Sequence, residues 1–397
     1  MKRLFLILAL AGFCLVDATA QKTIPHSYAL VRESKTRRTE IILPQVKGFN
    51  IYKGDFHVHT SYSDGVVTPA GRIIEAWDDG LDVLAITDHY ENRKGEKNFL
   101  KVIAPYNEDG QPTKYLGGNA QNGIKADFNA IHKEAENQLE KSGYPMLLIK
   151  GCEMARNNNT HGHFNCLFLN DINTVYDPDM AIAFRKVKEQ GGIVIHNHPG
   201  WRRKTTDKTE FHEQVYKEGL IDGVEVVNGN TFYPHIVKRC IDEKLAMFAN
   251  TDIHPTSSHR YSSIGLHRTM TLILAKELTE KAIKDAILKR RTIAYSAGVL
   301  IGEECWLKEL LNASIECKIV KIDDKENKRT FALTNMSSIT YRLRRGKTTY
   351  VLEPFQTTFI NCGKDKETDK FVLPKFTVDN MWHVDYKHPV IEIKLDK

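Results

Sequence analysis

The sequence predicts an α/β barrel followed by a small β-rich domain, and three observations carry that reading. Apolar, strand-like runs alternate with helix-like segments from Gly54 to about residue 300. Several of these runs end in a histidine or a carboxylate, which gathers ligand-type side chains at one end of a sheet. Beyond about residue 300 the chain turns to short alternating strands separated by charged or glycine-bearing turns, without a ligand cluster.

Taken in order, residues 1–20 have a basic start (Lys2, Arg3), an apolar stretch from Leu4 to Val16, and Ala18-Thr19-Ala20 before Gln21. This pattern reads as a cleaved export signal. The apolar stretch is short for a membrane span, and Phe13 is too bulky to precede a lipidated Cys14. An exported protein, periplasmic or secreted and without a stable membrane anchor, is therefore expected. Residues 21–47 are polar and basic and read as an extended lead-in over the barrel surface.

The first strand is expected over 54–60. Pro69 opens a helix that runs to Asp79 and is ended by Gly80. VLAIT, 83–87, is the second strand. Residues 91–122 are rich in Gly and Asn and long for a structureless connection, so they are expected to form a functional insertion or lid, with Tyr90, Phe99 and Tyr115 available to cover an apolar group. A helix near 125–141 precedes the strand MLLIKGCE, 146–153. HFNCLFLN (163–170), a helix near 178–190, GGIVIHNHP (191–199), VEVVN (224–228) and AMFANTDIH (246–254) continue the series, with further helices between the later strands. MTLILA, 270–275, and a helix at 277–289 close the barrel, which is assigned to 48–300. The β-rich domain, 301–397, begins with a short helix at 303–312. Its segments CKIVKI, RTFALTN, ITYRLRR, TTYVLEP, TTFINC and VIEIKLD suggest an antiparallel sandwich acting as a structural appendage.

Composition narrows the function. Fifty-six Lys and Arg against fifty Asp and Glu leave a net charge of +6, mild for 397 residues. No basic run with interleaved aromatics marks a nucleic-acid track, so no nucleic-acid partner is expected. The seven cysteines show no CxxC spacing. Cys152, Cys166 and Cys240 lie in apolar runs and read as buried thiols, while Cys305 and Cys317 are a possible bridge.

The chemistry concentrates in GDFHVHTSYSD, 54–64. Phe56 and Val58 alternate with His57 and His59, a period of two that turns both imidazoles to one side, and Asp64 follows. Thr87-Asp88-His89, Gly151-Cys152-Glu153, His163, His198-Pro199 and Thr251-Asp252-Ile253-His254 likewise accompany apolar runs. Each residue alone is more often a hydrogen-bonded structural one; jointly, a multinuclear metal site accounts for them better. Asp88 is expected to orient an imidazole or cap a loop. His161 and His163 both fit a ligand position, and His163 begins the apolar strand. His196 shares a strand face with His198 and is expected to touch substrate. Arg156, Arg202, Arg203 and Lys204 follow strand ends and are candidates to clamp a phosphate, Arg202 foremost.

The ordered set HxH, D, TDH, GxE, H, HP and DxH resembles the PHP (polymerase and histidinol phosphatase) family of metal-dependent phosphoesterases, over roughly Gly48 to Gly298. The resemblance implies a distorted (β/α)7-type barrel holding two to three divalent ions of manganese, iron or zinc. By the family pattern, His57, His59, Glu153 and Asp252 hold one ion, and Asp64, His89 and His254 a second. Glu153 bridges to a third held by His163 and His198. The implied activity is hydrolysis of small organophosphate esters by a metal-bridging hydroxide, with Asp252, His254 and His196 taking part. Export and the appended β-rich domain make the chain resemble periplasmic phosphodiesterases of the family. The alternatives are a phosphomonoesterase, an amidohydrolase-like metal-dependent hydrolase, and a non-catalytic binding protein; the last is disfavoured because all nine ligand positions are kept. An export signal also argues against a role in DNA replication.

Overall fold

A computed structural model describes residues 38–91, 127–364, 371 and 373–395. The expected signal, the lead-in as far as residue 37 and nearly all of the expected lid, with Phe99 and Tyr115, lie outside the described residues. Among the described residues, no helix is long and apolar enough to cross a membrane.

One twelve-stranded sheet curls through most of the chain. Strands β1 (Asn50–Asp55), β2 (Val83–Ile86) and β3 (Leu147–Ala155) pair in parallel. Helix α1 (Pro69–Asp78) connects the first two. Thr68 caps it by accepting from Gly71 N, and Pro69 takes the first turn, where its missing N–H costs nothing. Gly80 ends the turn at φ +85°, with Thr39 O only 2.4 Å from where a Cβ would stand, so this position is restricted to glycine. Helix α2 (Phe128–Ser142) leads into β3.

The order then departs from a simple parallel barrel. Strand β4 (His163–Leu167) runs antiparallel to both β3 and β5 (Ile193–His196). Parallel pairing resumes with β6 (Gly223–Asn228) and β8 (Ala246–Asn250), and the short β7 (Thr231–Phe232) folds back on β6. Helices α3 (Met180–Glu189), α4 (Glu210–Lys217) and α5 (Pro234–Asp242) fill the connections. After the short α6 (Ser257–Arg260), β9 (Met270–Ala275) pairs antiparallel with β1. Helix α7 (Glu280–Leu288) separates it from β10 (Thr292–Ser296) and β11 (Val299–Gly302), which extend that edge antiparallel. Strands β2, β8 and β9 are buried at every position, which is why they read as continuous apolar runs.

No backbone ladder joins β8 to β9 or β10, yet the gap is closed. Thr271 Oγ1 accepts from Ala249 N (3.0 Å) and donates to Ala249 O (2.9 Å), while Thr292 Oγ1 accepts from Met247 N at 3.3 Å. Threonine hydroxyls thus satisfy backbone groups that a buried strand edge would leave orphaned.

Helix α8 (Glu304–Ser314) passes directly into β12 (Ile315–Asp323), which with β13 (Lys328–Asn335) and β16 (Thr357–Gly363) forms a three-stranded antiparallel sheet. Strands β14 (Tyr341–Arg345), β15 (Thr348–Leu352), β17 (Phe376–Val378) and β19 (Val390–Ile391) form a second sheet. The remaining strand, β18 (Met381–Trp382), leaves this small domain and pairs in parallel with β11 in the large sheet. One apolar cluster runs from Leu272, Ile293 and Leu300 through Leu307 and Leu310 to Phe331 and Tyr341, so barrel and β-rich domain share a core. The possible bridge is absent: Cys305 is exposed, Cys317 is buried in β12, and the two are not joined. Cys152, Cys166 and Cys240 are buried thiols.

Candidate metal centre

The strand expected over 54–60 stops at Asp55, so His57 and His59 lie beyond the ladder. Their alternation survives because the segment stays extended between two others. Thr87 N donates to Val58 O (2.8 Å), and His59 N donates to Ile253 O (3.1 Å). Phe56 and Val58 point into the core while both imidazoles point into the centre.

All nine expected ligands converge. Four overlapping groups have ligand atoms within 4.8 Å of one another: His59, Asp64, His89 and His254; His57, His198 and Asp252; His57, His59 and Glu153; and Glu153, His163 and His198. His59 therefore stands with Asp64, His89 and His254 as well as with His57 and Glu153. Glu153 is the hub. Its Oε1 lies 3.2 Å from His163 Nδ1, 3.3 Å from His57 Nε2 and 3.5 Å from His198 Nε2. Its Oε2 lies 2.6 Å from His89 Nδ1 and 3.5 Å from His59 Nε2. One fully buried carboxylate thus meets five imidazoles. Burial pushes its pKa upward, but His89, His57 and His163 outweigh that and hold it well below the usual carboxylate range.

The tautomers show that the donor set fits metal ions. His57 Nδ1 bonds to Glu225 Oε1 at 2.8 Å, and a carboxylate only accepts, so Nδ1 carries a proton and Nε2 is the nitrogen turned to the centre and available to a metal. His254 Nδ1 donates to Asp252 O at 2.8 Å, which turns its Nε2 to Asp64 Oδ1 at 3.1 Å. His59 Nδ1 lies 3.3 Å from Ser63 Oγ, whose own proton goes to Asp88 Oδ1 at 2.6 Å. The Nε2 atoms of His57 and His59 then face each other at 3.1 Å, with Asp252 Oδ1 at 3.3 and 3.1 Å. Nitrogens and carboxylates packed together inside a protein need a cation among them. Burial lowers the pKa values of His57, His89 and His254, but Asp252, Glu225 and Glu153 at His57, Glu153 and Asp64 at His89, and Asp64 and Asp252 at His254 raise them, so that protons are held where a metal ion would sit. Burial, then His254 and His89, lowers His59 to about 4, so that it is neutral, as a ligand must be.

Supporting groups hold this arrangement. Glu225, fully buried, also accepts from His198 N (2.7 Å), Asn228 Nδ2 (2.9 Å) and Asn250 Nδ2 (3.0 Å). Asn197 Nδ2 donates to Glu153 Oε1 and to Asn165 Oδ1, both at 2.9 Å. Asp88 faces away from the ligand atoms and accepts from Thr60 N, Thr60 Oγ1 and Ser63 Oγ. His198 and Asp252 have φ of +24° and +51°, strained values for non-glycine residues that the surrounding bonds enforce. Glu225 and Asn197 escaped the sequence reading. The signal for Glu225 was a carboxylate inside the apolar run VEVVN, which burial makes expensive unless it has donors.

The centre opens into a cleft of about 320 Å³ whose rim includes Ala155, Asn158, Trp201 and Arg202. Trp201 is 40% exposed, meets the His163 and His198 rings edge-on, and carries the Arg202 guanidinium 4.3 Å above its own ring. Other expected site residues are placed elsewhere. His196 is buried beneath α4, with Nδ1 2.8 Å from Tyr216 Oη and its ring stacked on Phe164. It does not share a face with His198, because β5 ends at His196 and the backbone turns. Arg156 is tied to Glu91 and to the Asp177 and Pro178 carbonyls, and Arg203 to the Pro199 and Asp207 carbonyls, so neither is a phosphate clamp. His161 lies outside the ligand groups, near Thr160 Oγ1 and Phe211. Tyr90 is core, stacked on Phe128 and Tyr176, and not part of a cover.

Comparison with known proteins points to one family. The family model described as the PHP domain matches residues 55–251. The chain is similar to the crystal structure of a two-domain protein from Bacteroides vulgatus that contains a predicted PHP-like metal-dependent phosphoesterase. Identity is 30%, 91% of this chain and 100% of that chain are covered, and the TM-score is 0.77. A candidate metal-dependent phosphoesterase from Bifidobacterium adolescentis is 16% identical over 59% of this chain and 96% of its own, with a TM-score of 0.39. Endonuclease Q, in complex with a 27-mer duplex bearing an abasic lesion, is 17% identical over 70% of this chain and 66% of its own, with a TM-score of 0.35. No curated protein sequence matches the chain.

Proposed function

The chain belongs to the PHP-domain family, and from that premise we propose that it hydrolyses small organophosphate diesters at a trinuclear centre, outside the cytoplasm. It is a PHP-like metal-dependent phosphoesterase. The observation that carries the finer reading is the set of imidazole nitrogens of His57, His59 and His254 converging on Glu153, Asp252 and Asp64 beneath the Arg202 rim. In the reading proposed, His59, Asp64, His89 and His254 would hold one ion, His57, His198 and Asp252 a second, and Glu153, His163 and His198 a third. Divalent manganese, iron or zinc, when bound, would supply Lewis acidity that activates water and offsets charge on the phosphoryl oxygens.

The residues of the chain do the rest. Arg202 is placed to bind a non-bridging phosphoryl oxygen and fix the ester in the cleft. Asp252 spans the buried and open parts of the site and is placed to orient the attacking water. The diester preference is supported by what the rim offers. Among the described residues, Arg156 and Arg203 are occupied by carbonyls, which leaves Arg202 as the arginine lining the cleft. A dianionic monoester profits from several cationic contacts, whereas a monoanionic diester needs fewer and gains from the exposed face of Trp201. The export reading rests on the signal-like residues 1–20.

The test is a metal-content measurement on purified protein, paired with hydrolysis of matched p-nitrophenyl phosphate diesters and monoesters, carboxyl esters and amides. Two to three transition-metal ions per chain and a higher kcat/KM on diesters are expected. Monoesters better by tenfold, about 1.4 kcal/mol of transition-state preference, defeat the diesterase assignment, and hydrolysis of amides alone defeats the phosphoesterase assignment.

A further inference from the structure

Helix α1 contributes no metal ligand, yet its Arg72 touches the centre from beneath. The side chain is fully buried, and all five of its N–H groups are used. Nε donates to His59 O at 2.8 Å. Nη1 donates to Pro255 O at 2.9 Å and to Glu75 Oε2 at 2.6 Å. Nη2 donates to Ile253 O at 3.0 Å and to His254 O at 2.9 Å. Four of the five acceptors are main-chain carbonyls, and they belong to the two segments that carry His59 and His254. Those two imidazoles stack with centroids 4.2 Å apart and planes 20° apart.

We propose that Arg72 is a positioning residue for the ion held by His59, Asp64, His89 and His254, because its guanidinium fixes the peptide planes from which His59 and His254 project. The inference rests on the metal-dependent reading of the site. The two segments come from opposite ends of the barrel sequence and pair as a short parallel bridge, with Asp252 N donating to His57 O at 2.9 Å and His59 N to Ile253 O at 3.1 Å. The guanidinium extends that pairing to the residues that carry the ligands, taking His59 O from one segment and the Ile253, His254 and Pro255 carbonyls from the other. A planar fork with fixed donor directions sets the angle between them; a lysine, with donors on one atom, holds fewer carbonyls and imposes no plane. Glu75 balances the buried charge and is itself fixed by Ser257 N, which donates to its Oε1 at 2.8 Å. Two roles are therefore separable: the carbonyl contacts serve the metal, and the Glu75 contact serves the stability of the buried cation.

The experiment compares full-length wild type, Arg72→Lys and Glu75→Gln, each loaded with manganese. Competition with a chromophoric chelator reads metal affinity, elemental analysis reads ions per chain, and thermal unfolding reads stability. Arg72→Lys is expected to weaken one ion by at least tenfold, within the 10–100-fold typical of lost outer partners, while the remaining ions stay bound. Glu75→Gln keeps the carbonyl bonds, so its melting temperature is expected to fall while metal affinity stays within twofold of wild type. Unchanged affinity in Arg72→Lys overturns the inference, and so does a tenfold loss in Glu75→Gln. If Arg72→Lys does not accumulate folded, Glu75→Gln decides by the same limits. A wild type that binds no ions defeats the proposed function itself; tight ions in both wild type and Arg72→Lys defeat only this inference.

Discussion

Glu225 Oε1 lies 2.8 Å from His57 Nδ1, and this one contact decides which nitrogen of His57 is available to a metal. The same carboxylate receives the His198 backbone N–H, so it fixes two ligand residues from strand β6, which itself supplies no ligand.

Replacing Glu225 by Gln leaves the shape of the site but gives His57 a partner that can donate as well as accept. The His57 proton is then no longer confined to Nδ1. Metal affinity is expected to fall 10–100-fold, the usual effect of losing such a partner. Chelator competition measures it, and a circular dichroism spectrum like wild type separates the effect from unfolding. Affinity within twofold of wild type would show that the Glu225 contact does not set the tautomer.

Asp252 and Asp88 are both acidic residues beside a ligand histidine, but they face different partners. Asp252 Oδ1 meets the Nε2 atoms of His57 and His59, whereas Asp88 accepts from Thr60 and Ser63. Asp252→Ala is expected to remove most turnover and one ion, with the barrel still folded. Asp88→Ala removes the acceptor of the Ser63 proton and is expected to cost less turnover, with the metal count unchanged. Equal losses of metal in the two variants would reverse these roles.

How far the centre could be read from sequence depended on whether the chain stayed extended. His57 and His59 were legible because alternation with Phe56 and Val58 persists beyond the end of β1. His196 was misread because that regularity ends: His198 takes φ +24° and the two imidazoles part. Arg156 and Arg203 were misread because the carbonyls that occupy them belong to loops at 177–178 and 207, and sequence spacing does not reveal such partners. The early strands and α1 were legible from apolar runs and caps. Strands β17 and β18 are three and two residues long, too short to carry a period. With them went the fact that the C-terminal segment completes the large sheet.

His212 gives a pH dependence of known sign. Its Nδ1 accepts from Thr209 N at 3.1 Å at the start of α4, and its Nε2–H donates to His161 O at 2.6 Å, so only the neutral ring satisfies both. Burial lowers its pKa to about 4; the bond to His161 O opposes this, and Arg203 and Arg239 add to it. An ordinary histidine titrates near 6.5, so between about 4 and 6.5 the unfolded chain binds a proton that the folded chain refuses. Stability therefore rises with pH through that window and is lost on acidification, with a slope of at most about 1.4 kcal/mol per pH unit from this residue. Gln at the same position can keep the cap without titrating. Denaturant unfolding from pH 4 to 7 is expected to show a shallower slope for His212→Gln than for wild type. Parallel curves would mean that His212 charges freely in the folded protein.

The β-rich domain is expected to be inseparable from the barrel. Strand β18 pairs Met381 with Leu300 and Trp382 with Ile301, and Asn380 Nδ2 donates to Gly298 O (2.9 Å) and Thr340 O (2.8 Å), which joins the two parts at the β10–β11 turn. Leu307, Leu310 and Leu311 on α8 lie in the same apolar cluster as Leu272, Ile293 and Leu300. Each buried Leu or Ile side chain contributes roughly 1.5–3 kcal/mol, against a total stability of about 5–15 kcal/mol for a domain. Ending the chain after Gly302 removes several such contacts and exposes the β11 edge, so the truncated protein is expected to aggregate or to lose its near-ultraviolet circular dichroism. Asn380→Ala breaks only the side-chain link and is expected to lower the melting temperature by a few degrees with the metal count unchanged. A soluble, monomeric truncation that melts like wild type and keeps its metals would show that the shared core is dispensable and the β-rich domain a mere appendage.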